Sequence, residues 1–347
     1  MNWVALLLDC GVAVIGGCLG AALSALGGFL LFGLLGVLGF LYLLVANSDI
    51  WIGAVTGSAL LKPSVCFVGG VVATAYARKK GLIQCGKDIG RSFLSYRRFD
   101  ILAVGGCAGL AGYLVNRSAD ALFAGTVDTI AFTVFLVPLF IKYHWHMIKT
   151  NDCEASSHAI PSPYRFFEKF SRPRGKTLAS LVIGLCTSLL TFGLFLVPET
   201  KPYAGLLVFC ISAVFLFPLF MGIPIPATHH FSGPAGAATM VWLSSHGGSL
   251  GGWGLVLMTL WGIAAAQIGL LGGDIMERLF FTEGDIHIDP PAMGIFVATA
   301  IMLGGLPLTG VYSAGAWVQI IVSLSMIIAA LIFNLREKRS QPQAVQG

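Results

Sequence analysis

The stretch IWIGAVTGSALLKPSVCFVGGVVATAYA, residues 50–77, decides how the rest of the sequence is interpreted. It has the length and apolar character of a membrane span, but Lys62 and Pro63 interrupt its middle. A charged lysine is costly in hydrocarbon and a proline removes a backbone donor, so this pair has to face protein, water or a ligand. The stretch therefore predicts an interrupted helix inside a membrane protein.

The composition of the whole chain indicates the same class. Of its 347 residues, 56% are hydrophobic and 11% are charged, and the mean hydropathy is +0.84. A soluble globule of this size needs more polar residues to cover its surface. The composition therefore predicts an all-α, polytopic integral membrane protein.

Windows of about 20 apolar residues, the length that crosses a bilayer, predict eleven transmembrane helices. The windows are 3–23, 26–46, 51–77, 101–115, 121–141, 178–197, 203–222, 225–245, 253–271, 292–305 and 311–335. With the N-terminus outside, eleven crossings place the basic clusters at 78–98, 142–176 and 336–339 in the cytoplasm, as the positive-inside rule requires. We therefore predict a multi-pass protein of the cell membrane with a cytoplasmic C-terminus.

Short matches between the two halves predict an internal repeat. The stretch GKDI at 86–89 resembles GGDI at 272–275, and each precedes a window that opens with an aspartate, Asp100 or Asp289. Repeated halves with helix breaks at matching positions are typical of transporters that bind solute near the bilayer midplane. The eleven-span topology puts both stretches on one side and so favours parallel repeats, whereas one miscounted span makes the repeats inverted.

The repeat sets the predicted domain boundaries. They are an N-terminal transmembrane repeat at 1–141, a basic cytoplasmic linker at 142–176, a C-terminal transmembrane repeat at 177–335 and a cytoplasmic tail at 336–347. Within the linker, the stretch FFEKF at 166–170 has the pattern of a short interfacial helix.

A second interrupted helix is predicted at 223–240, IPIPATHHFSGPAGAATM. Its three prolines prevent one continuous regular helix, and Ser232-Gly233-Pro234 has the composition of a helix start. Lys62-Pro63-Ser64 has similar features, so two half-helix N-termini with free N–H groups are predicted in the middle of the protein, where they favour an anion. The predicted solute-binding residues are Lys62, Ser64, Thr228, His229, His230, Ser232 and Gly233.

Two further groups of polar residues have competing interpretations. Asp128 is the most intramembrane acid, so it is predicted to couple proton or sodium movement or to form an ion pair with Lys62. Asp285, His287 and Asp289 alternate along the chain and have the spacing of a cation site at the membrane surface. The alternative that we favour is a solvated loop in which Asp289 caps the next helix.

These features together predict a secondary active transporter of a small solute, with an anion favoured and proton or sodium coupling. The sequence has no Walker A or CxxCH motif, and no GxSxG or HExxH motif lies on a predicted span, so we predict no enzyme activity, cofactor or metal site. Membrane lipids are the other predicted partners; nucleic acid is not, and assembly as a homo-oligomer is left open. A passive channel, and a membrane-embedded enzyme or subunit of a membrane complex, are the alternatives.

Overall fold

The computed structural model describes residues 3–147, 173–223, 225–248, 250–281 and 284–336. All regular secondary structure within these ranges is helical. We refer to residues 3–147 as the N-terminal half and to residues 173–336 as the C-terminal half. Most of the predicted linker, its FFEKF stretch and nearly all of the predicted tail lie outside the described residues.

The N-terminal half contains six α-helices. They are α1 (Trp3–Leu23), α2 (Ala25–Ala46), α3 (Ile50–Ile52, continued as the π-helix Gly53–Gly57), α4 (Cys66–Lys79), α5 (Phe99–Phe123) and α6 (Thr129–His144). The chain between Gly57 and Cys66 is not helical, and it contains Lys62 and Pro63.

The C-terminal half contains the remaining helices. They are α7 (Pro173–Phe195), α8 (Ala204–Val214), α9 (Phe217–Phe220), α10 (His229–Ser245), α11 (Gly254–Met276, continued as the π-helix Glu277–Phe281), α12 (Pro290–Thr299, continued as the π-helix Ala300–Gly305), α13 (Leu306–Leu308) and α14 (Ala316–Arg336).

The chain reverses between α1 and α2 at a single residue, Ser24. Its φ is +94°, and its Oγ accepts a hydrogen bond of 2.9 Å from the Gly27 amide, so it caps α2. The helix ends at Asn47, whose left-handed φ of +48° is one that asparagine tolerates better than most residues. This reversal places the phenylalanines of α2 toward the centre of the protein.

Eight helical segments in the described part of the chain are long and apolar enough to cross a membrane, which is the architecture of a membrane-embedded protein. They are Trp3–Leu23, Ala25–Ala46, Phe99–Phe123, Arg174–Phe195, Lys201–Phe220, Gly254–Phe281, Pro290–Leu308 and Ala316–Asn334. The other three predicted windows correspond to α4, α6 and α10, of 14, 16 and 17 residues. At about 1.5 Å per residue these helices are shorter than the hydrocarbon core of about 30 Å, so the count of eleven stays a prediction.

The two halves share one packing arrangement. In the N-terminal half α1 packs on α4 and α5, α2 packs on α4, and α6 packs on α5. In the C-terminal half α7 packs on α10 and α11, α8 packs on α10, and α12 packs on α11. The halves meet through α2 against α8 and α6 against α12, which are counterparts in this arrangement. The largest buried apolar cluster lies there and contains Phe29, Phe67, Phe135 and Met293.

Glycine contacts bring α1, α4 and α5 unusually close. A Cβ added at Gly69 of α4 would lie 2.5 Å from the Cα of Gly17 and 2.9 Å from the carbonyl oxygen of Gly105. Real Cβ atoms do not approach backbone this closely. Small residues therefore set the helix spacing here, as they commonly do in membrane proteins.

Gly69→Ala is expected to lower the melting temperature of the detergent-solubilised protein. The added methyl group forces two helix backbones apart, and such overpacking costs about 1–3 kcal/mol. Gly11→Ala is the matched control, because Gly11 is exposed on α1 and its Cβ would meet nothing within 4 Å. An equal effect of both substitutions on the melting temperature would contradict the close contact.

Candidate functional site

A cavity of about 450 Å³ lies between the two halves. Its wall is mostly apolar and includes five phenylalanine rings from both halves, those of Phe29, Phe32, Phe67, Phe209 and Phe281. Five titratable side chains interrupt this wall, and they are Asp128, His229, Glu277, His287 and Asp289. A largely apolar cavity of this volume with a few polar groups has the properties of a small-molecule site.

Four helix N-termini reach this cavity. Its lining includes Pro63 just before α4, Asp128 just before α6, Ala227 just before α10 and Asp289 just before α12. Two of these helices belong to each half, and they are counterparts in the shared packing arrangement. Because the positive end of a helix dipole is its N-terminus, the backbone of four helices contributes positive potential at the cavity.

Two of the four N-termini are closed by aspartates. The Asp128 carboxylate accepts a hydrogen bond from the Ala131 amide, and the Asp289 carboxylate accepts one from the Ala292 amide, both at 2.8 Å. The Asp128 amide also donates to Thr299 Oγ1 at 2.9 Å, which joins the start of α6 to the end of α12. The capping role predicted for Asp289 is thus confirmed, and Asp128 has the same role in the other half.

The N-terminus of α10 has no such cap. Its N-cap residue is Thr228, which makes no side-chain capping bond. The first helical residue, His229, lines the cavity with only 6% of its surface exposed and packs beside the rings of Phe29 and Phe209. Its Nδ1 has no hydrogen-bond partner among the described residues, although the charge of Asp289 acts on it. This nitrogen is enclosed by protein, so the imidazole reaches the cavity through its other ring atoms.

The other predicted residues of α10 lie at different positions around the helix. His230 is also buried with an unpartnered Nδ1, but it faces α11 near Gly273 and is not part of the cavity lining. Ser232 donates its hydroxyl to the Thr228 carbonyl at 3.3 Å, whereas Gly233 lines the cavity. The predicted helix start at 232–234 is wrong, because α10 begins at His229.

Pro234 explains this error. A proline inside a helix removes the hydrogen bond to the carbonyl four residues earlier, here that of His230, and its ring crowds that carbonyl, but it can kink the helix without ending it. Here the helix continues through Pro234, and the Gly233 amide lies within α10 rather than at its free end.

The predicted site residues before α4 lie beside the cavity. Lys62 is half-buried and its charge acts on Asp128, but no ion pair joins the two within the described part of the chain. The Ser64 hydroxyl is fully buried and donates to Asn116 Oδ1 at 3.4 Å, and Asn116 donates to Thr129 Oγ1 at 3.0 Å. Neither Lys62 nor Ser64 is among the residues that line the cavity.

Segment 284–289 contradicts the favoured interpretation as a solvated loop, because its residues are buried. Asp285 forms an ion pair with Arg78 and accepts a hydrogen bond from the Gly86 amide at 2.7 Å. His287 Nε2 lies 3.1 Å from Asp289 Oδ1, and both residues line the cavity. Within the described chain no three His, Cys, Asp or Glu side chains form a metal-binding group.

The sequence match between GKDI at 86–89 and GGDI at 272–275 does not join equivalent positions of the two halves. Residues 86–89 lie in the loop between α4 and α5, whereas 272–275 lie inside α11. Asp100 is in the first turn of α5 and pairs with Arg98, so it is not the counterpart of the Asp289 cap. The structural counterpart of Asp289 is Asp128. The equivalence of Asp128 and Asp289 is not visible in the sequence because the residues after them differ, Thr129-Ile130 in one half and Pro290-Pro291 in the other.

Glu277 is the one titratable residue of this lining that was not predicted from the sequence. It begins the π-helix at the end of α11, and π-helical turns often occur at functional sites. Its carboxylate makes no hydrogen bond or ion pair with the described residues, unlike the carboxylates of Asp128 and Asp289. The only feature of the sequence that points to Glu277 is its position three residues after the intramembrane Gly272-Gly273-Asp274.

In the described part of the chain, the fold and the site define a helical membrane-embedded protein with a buried cavity between two similarly packed halves. A family model described as "Family of unknown function (DUF7973)" matches residues 2–148 and 172–321, so the chain belongs to this family. Among curated proteins and solved structures, none matches the chain.

Proposed function

We propose that this protein is a secondary active transporter whose small solute binds in the cavity between its two halves. The observation that supports this most is the meeting of four helix N-termini, two from each half, at one buried cavity. Helices that begin at mid-depth are the usual way in which transporters place backbone dipoles around a solute.

We further propose that the two halves are inverted repeats. The counterpart helices are α1, α2, α4, α5 and α6 in one half and α7, α8, α10, α11 and α12 in the other. An odd number of crossings in a repeat makes the second copy enter the membrane from the opposite side.

The distribution of basic residues supports the inverted arrangement. Helices α4 and α6 lead into loops rich in lysine and arginine, whereas their counterparts α10 and α12 lead into 246–253 and 309–315, which contain neither residue. By the positive-inside rule the counterparts therefore end on opposite sides of the membrane. Inverted repeats permit alternating access, since exchanging the conformations of the two halves opens the cavity to the other side.

An anion remains the proposed solute. The N-termini of α4 and α10 have no side-chain caps. At α10 the amides of His229 and His230 have no partner among the described residues, so they can bind a negatively charged group. Lys62 lies beside the cavity and offsets part of the negative charge of Asp128. In this arrangement the residues expected to contact the solute are His229 and Gly233, with Lys62 and Ser64 behind them.

Uptake by proteoliposomes tests the proposed function. Vesicles containing the purified protein are given a small-metabolite extract under an inward proton gradient, or under a sodium gradient, and their contents are measured by mass spectrometry. Accumulation of a solute above its external concentration is expected. Equilibration without accumulation would instead identify a passive channel, and contents equal to those of protein-free vesicles would overturn both proposals.

A further inference from the structure

We infer that the cavity binds an organic monoanion with an apolar body, and that Glu277 binds a proton together with it. This inference rests on the proposed function, because it names the solute class and the coupling group of the same cavity. Three features support it: the uncapped end of α10 with His229, the aromatic wall, and the carboxylate of Glu277.

The anionic group is assigned to the start of α10. Asp128 and Asp289 already close the N-termini of α6 and α12, whereas α10 has neither a side-chain cap nor an acid at its start. The amides of Phe231 and Ser232 donate to the Thr228 carbonyl, and those of His229 and His230 have no partner among the described residues. The side chain of His229 is only 6% exposed and lines the cavity at the same place, through ring atoms other than the enclosed Nδ1. A carboxylate there would receive hydrogen bonds from both the backbone and the imidazole.

The rest of the ligand is assigned to the phenylalanine wall. The rings of Phe29, Phe32, Phe67 and Phe209 line the cavity beside His229, and Phe29 lies 5.2 Å from the His229 ring between centroids. Rings in offset or edge-to-face contact with one another form a surface that favours an aromatic or branched aliphatic group. A small inorganic anion would leave this surface in contact with water, so an organic anion fits better.

Three acidic residues line the cavity, so a proton that enters with the anion would reduce the repulsion between like charges. The titratable groups that line the cavity are Asp128 before α6, His229 on α10, Glu277 at the end of α11, and His287 and Asp289 in segment 284–289. Other charged groups lie around it: Lys62 before α4, Lys87 and Lys142 at the end of α11, Arg278 next to Glu277, and the ion pairs Lys176–Asp274 and Arg78–Asp285. Asp128 and Asp289 have hydrogen-bond donors, but Glu277 has none among the described residues.

The size of the cavity makes this repulsion strong. A cavity of about 450 Å³ is about as wide as one Debye length, about 10 Å, so charges on its wall are poorly screened from each other. An ionised Glu277 would therefore repel the bound anion, and its protonation removes that repulsion. Binding of the anion and of the proton are then thermodynamically linked, which is the requirement for symport.

Binding of three matched probes tests the inference. Benzoate, benzyl alcohol and benzylamine share a phenyl ring and differ in charge, and their dissociation constants are measured by calorimetry on the purified full-length protein between pH 5 and pH 8. We expect benzoate to bind best. If one proton is taken up with it, its affinity falls as the pH rises, by up to about tenfold per pH unit. Preference for benzylamine or benzyl alcohol, or binding of none of the three, would overturn the assigned solute class.

Variants separate the two roles. His229→Ala is expected to weaken benzoate binding about tenfold to a hundredfold, since a hydrogen bond to a charged group is lost. Glu277→Gln is expected to bind benzoate with little dependence on pH.

His144→Ala and Glu199→Gln are the matched controls, because both residues are exposed and lie away from the cavity. His229→Ala should remain folded, since it removes a buried nitrogen that has no partner; the melting temperature without probe checks this.

Two outcomes distinguish this inference from the proposed function. If metabolites accumulate in the uptake experiment but benzoate binds equally well to wild type and His229→Ala, the protein transports and the assigned site is wrong. If benzoate binds as expected but no solute accumulates in vesicles, the site is correct and transport fails. A pH dependence that persists in Glu277→Gln would assign the proton to another group and overturn the role of Glu277.

Discussion

Gly233→Phe is expected to reduce solute uptake to the background of protein-free liposomes while the protein remains folded. Gly233 lines the cavity from α10, and a Cβ added there meets only side-chain atoms of Phe209 and Ile295, at 3.7 Å or more. These are ordinary van der Waals distances, so a side chain can begin at this position without moving the backbone. A benzyl group would then occupy the space that the solute needs.

Two controls isolate the effect of filling the cavity. Gly233→Ala adds one methyl group and should retain uptake, with a gain in helix stability of up to about 1 kcal/mol. Gly193→Phe places the same ring on the exposed face of α7, where nothing lies within 4 Å of the added Cβ. Wild-type uptake by Gly233→Phe, with an unchanged melting temperature, would show that the solute does not pass through this cavity.

Membrane embedding could be predicted from the sequence because it depends on composition. The balance of 56% hydrophobic and 11% charged residues excludes a soluble globule whatever the order of the residues. The interruption of helix at residues 58–65 also has a local cause, because Pro63 lacks a backbone donor. Properties of this kind do not require knowledge of tertiary contacts.

The start of α10 was harder to predict because three prolines compete as helix starts. The rule that proline favours the first turn pointed to Pro234, but the helix includes Pro234 and begins five residues earlier. The interior proline is tolerated because one hydrogen bond is lost while α10 stays packed on α7, α8, α11 and α12. Tertiary packing therefore determined the boundary that local preference had misplaced.

The acidic side of the site could not be predicted because long-range contacts create it. Segment 284–289 has the polar composition of a solvated loop, and its burial depends on Arg78, Gly86 and Met147 from the other half of the chain. The equivalence of Asp128 and Asp289 as N-caps of α6 and α12 likewise became visible only from the helix packing, which identifies the two helices as counterparts. A single sequence contains no record of contacts between residues about 200 positions apart.

Arg78→Ala is expected to destabilise the protein by about 3 kcal/mol, since it leaves the buried Asp285 carboxylate without its cation. The side chain of Asp285 is 7% exposed, and it connects the end of α4 and the loop after it to segment 284–289. The Asp285 amide donates to the Met147 carbonyl at 3.1 Å, and the Lys142 ammonium donates to the Phe280 carbonyl at 2.7 Å. Burial lowers the pKa of nearby Lys87, and the charge of Asp285 opposes this shift, so Lys87 replaces Arg78 only in part.

This network connects segment 284–289 to the N-terminal half, so its loss is expected also to loosen the segment that contains His287 and Asp289. Amide hydrogen exchange within 284–289, followed by mass spectrometry, is expected to accelerate in Arg78→Ala. The matched control is Arg91→Ala, which breaks the exposed pair with Asp88 and should cost no more than about 0.5 kcal/mol. Combining Arg78→Ala with Asp285→Ala closes a double-mutant cycle that measures the coupling directly. Equal exchange rates in the two arginine variants would mean that apolar packing alone holds the segment, and the ion pair would then have no part in closing this side of the cavity.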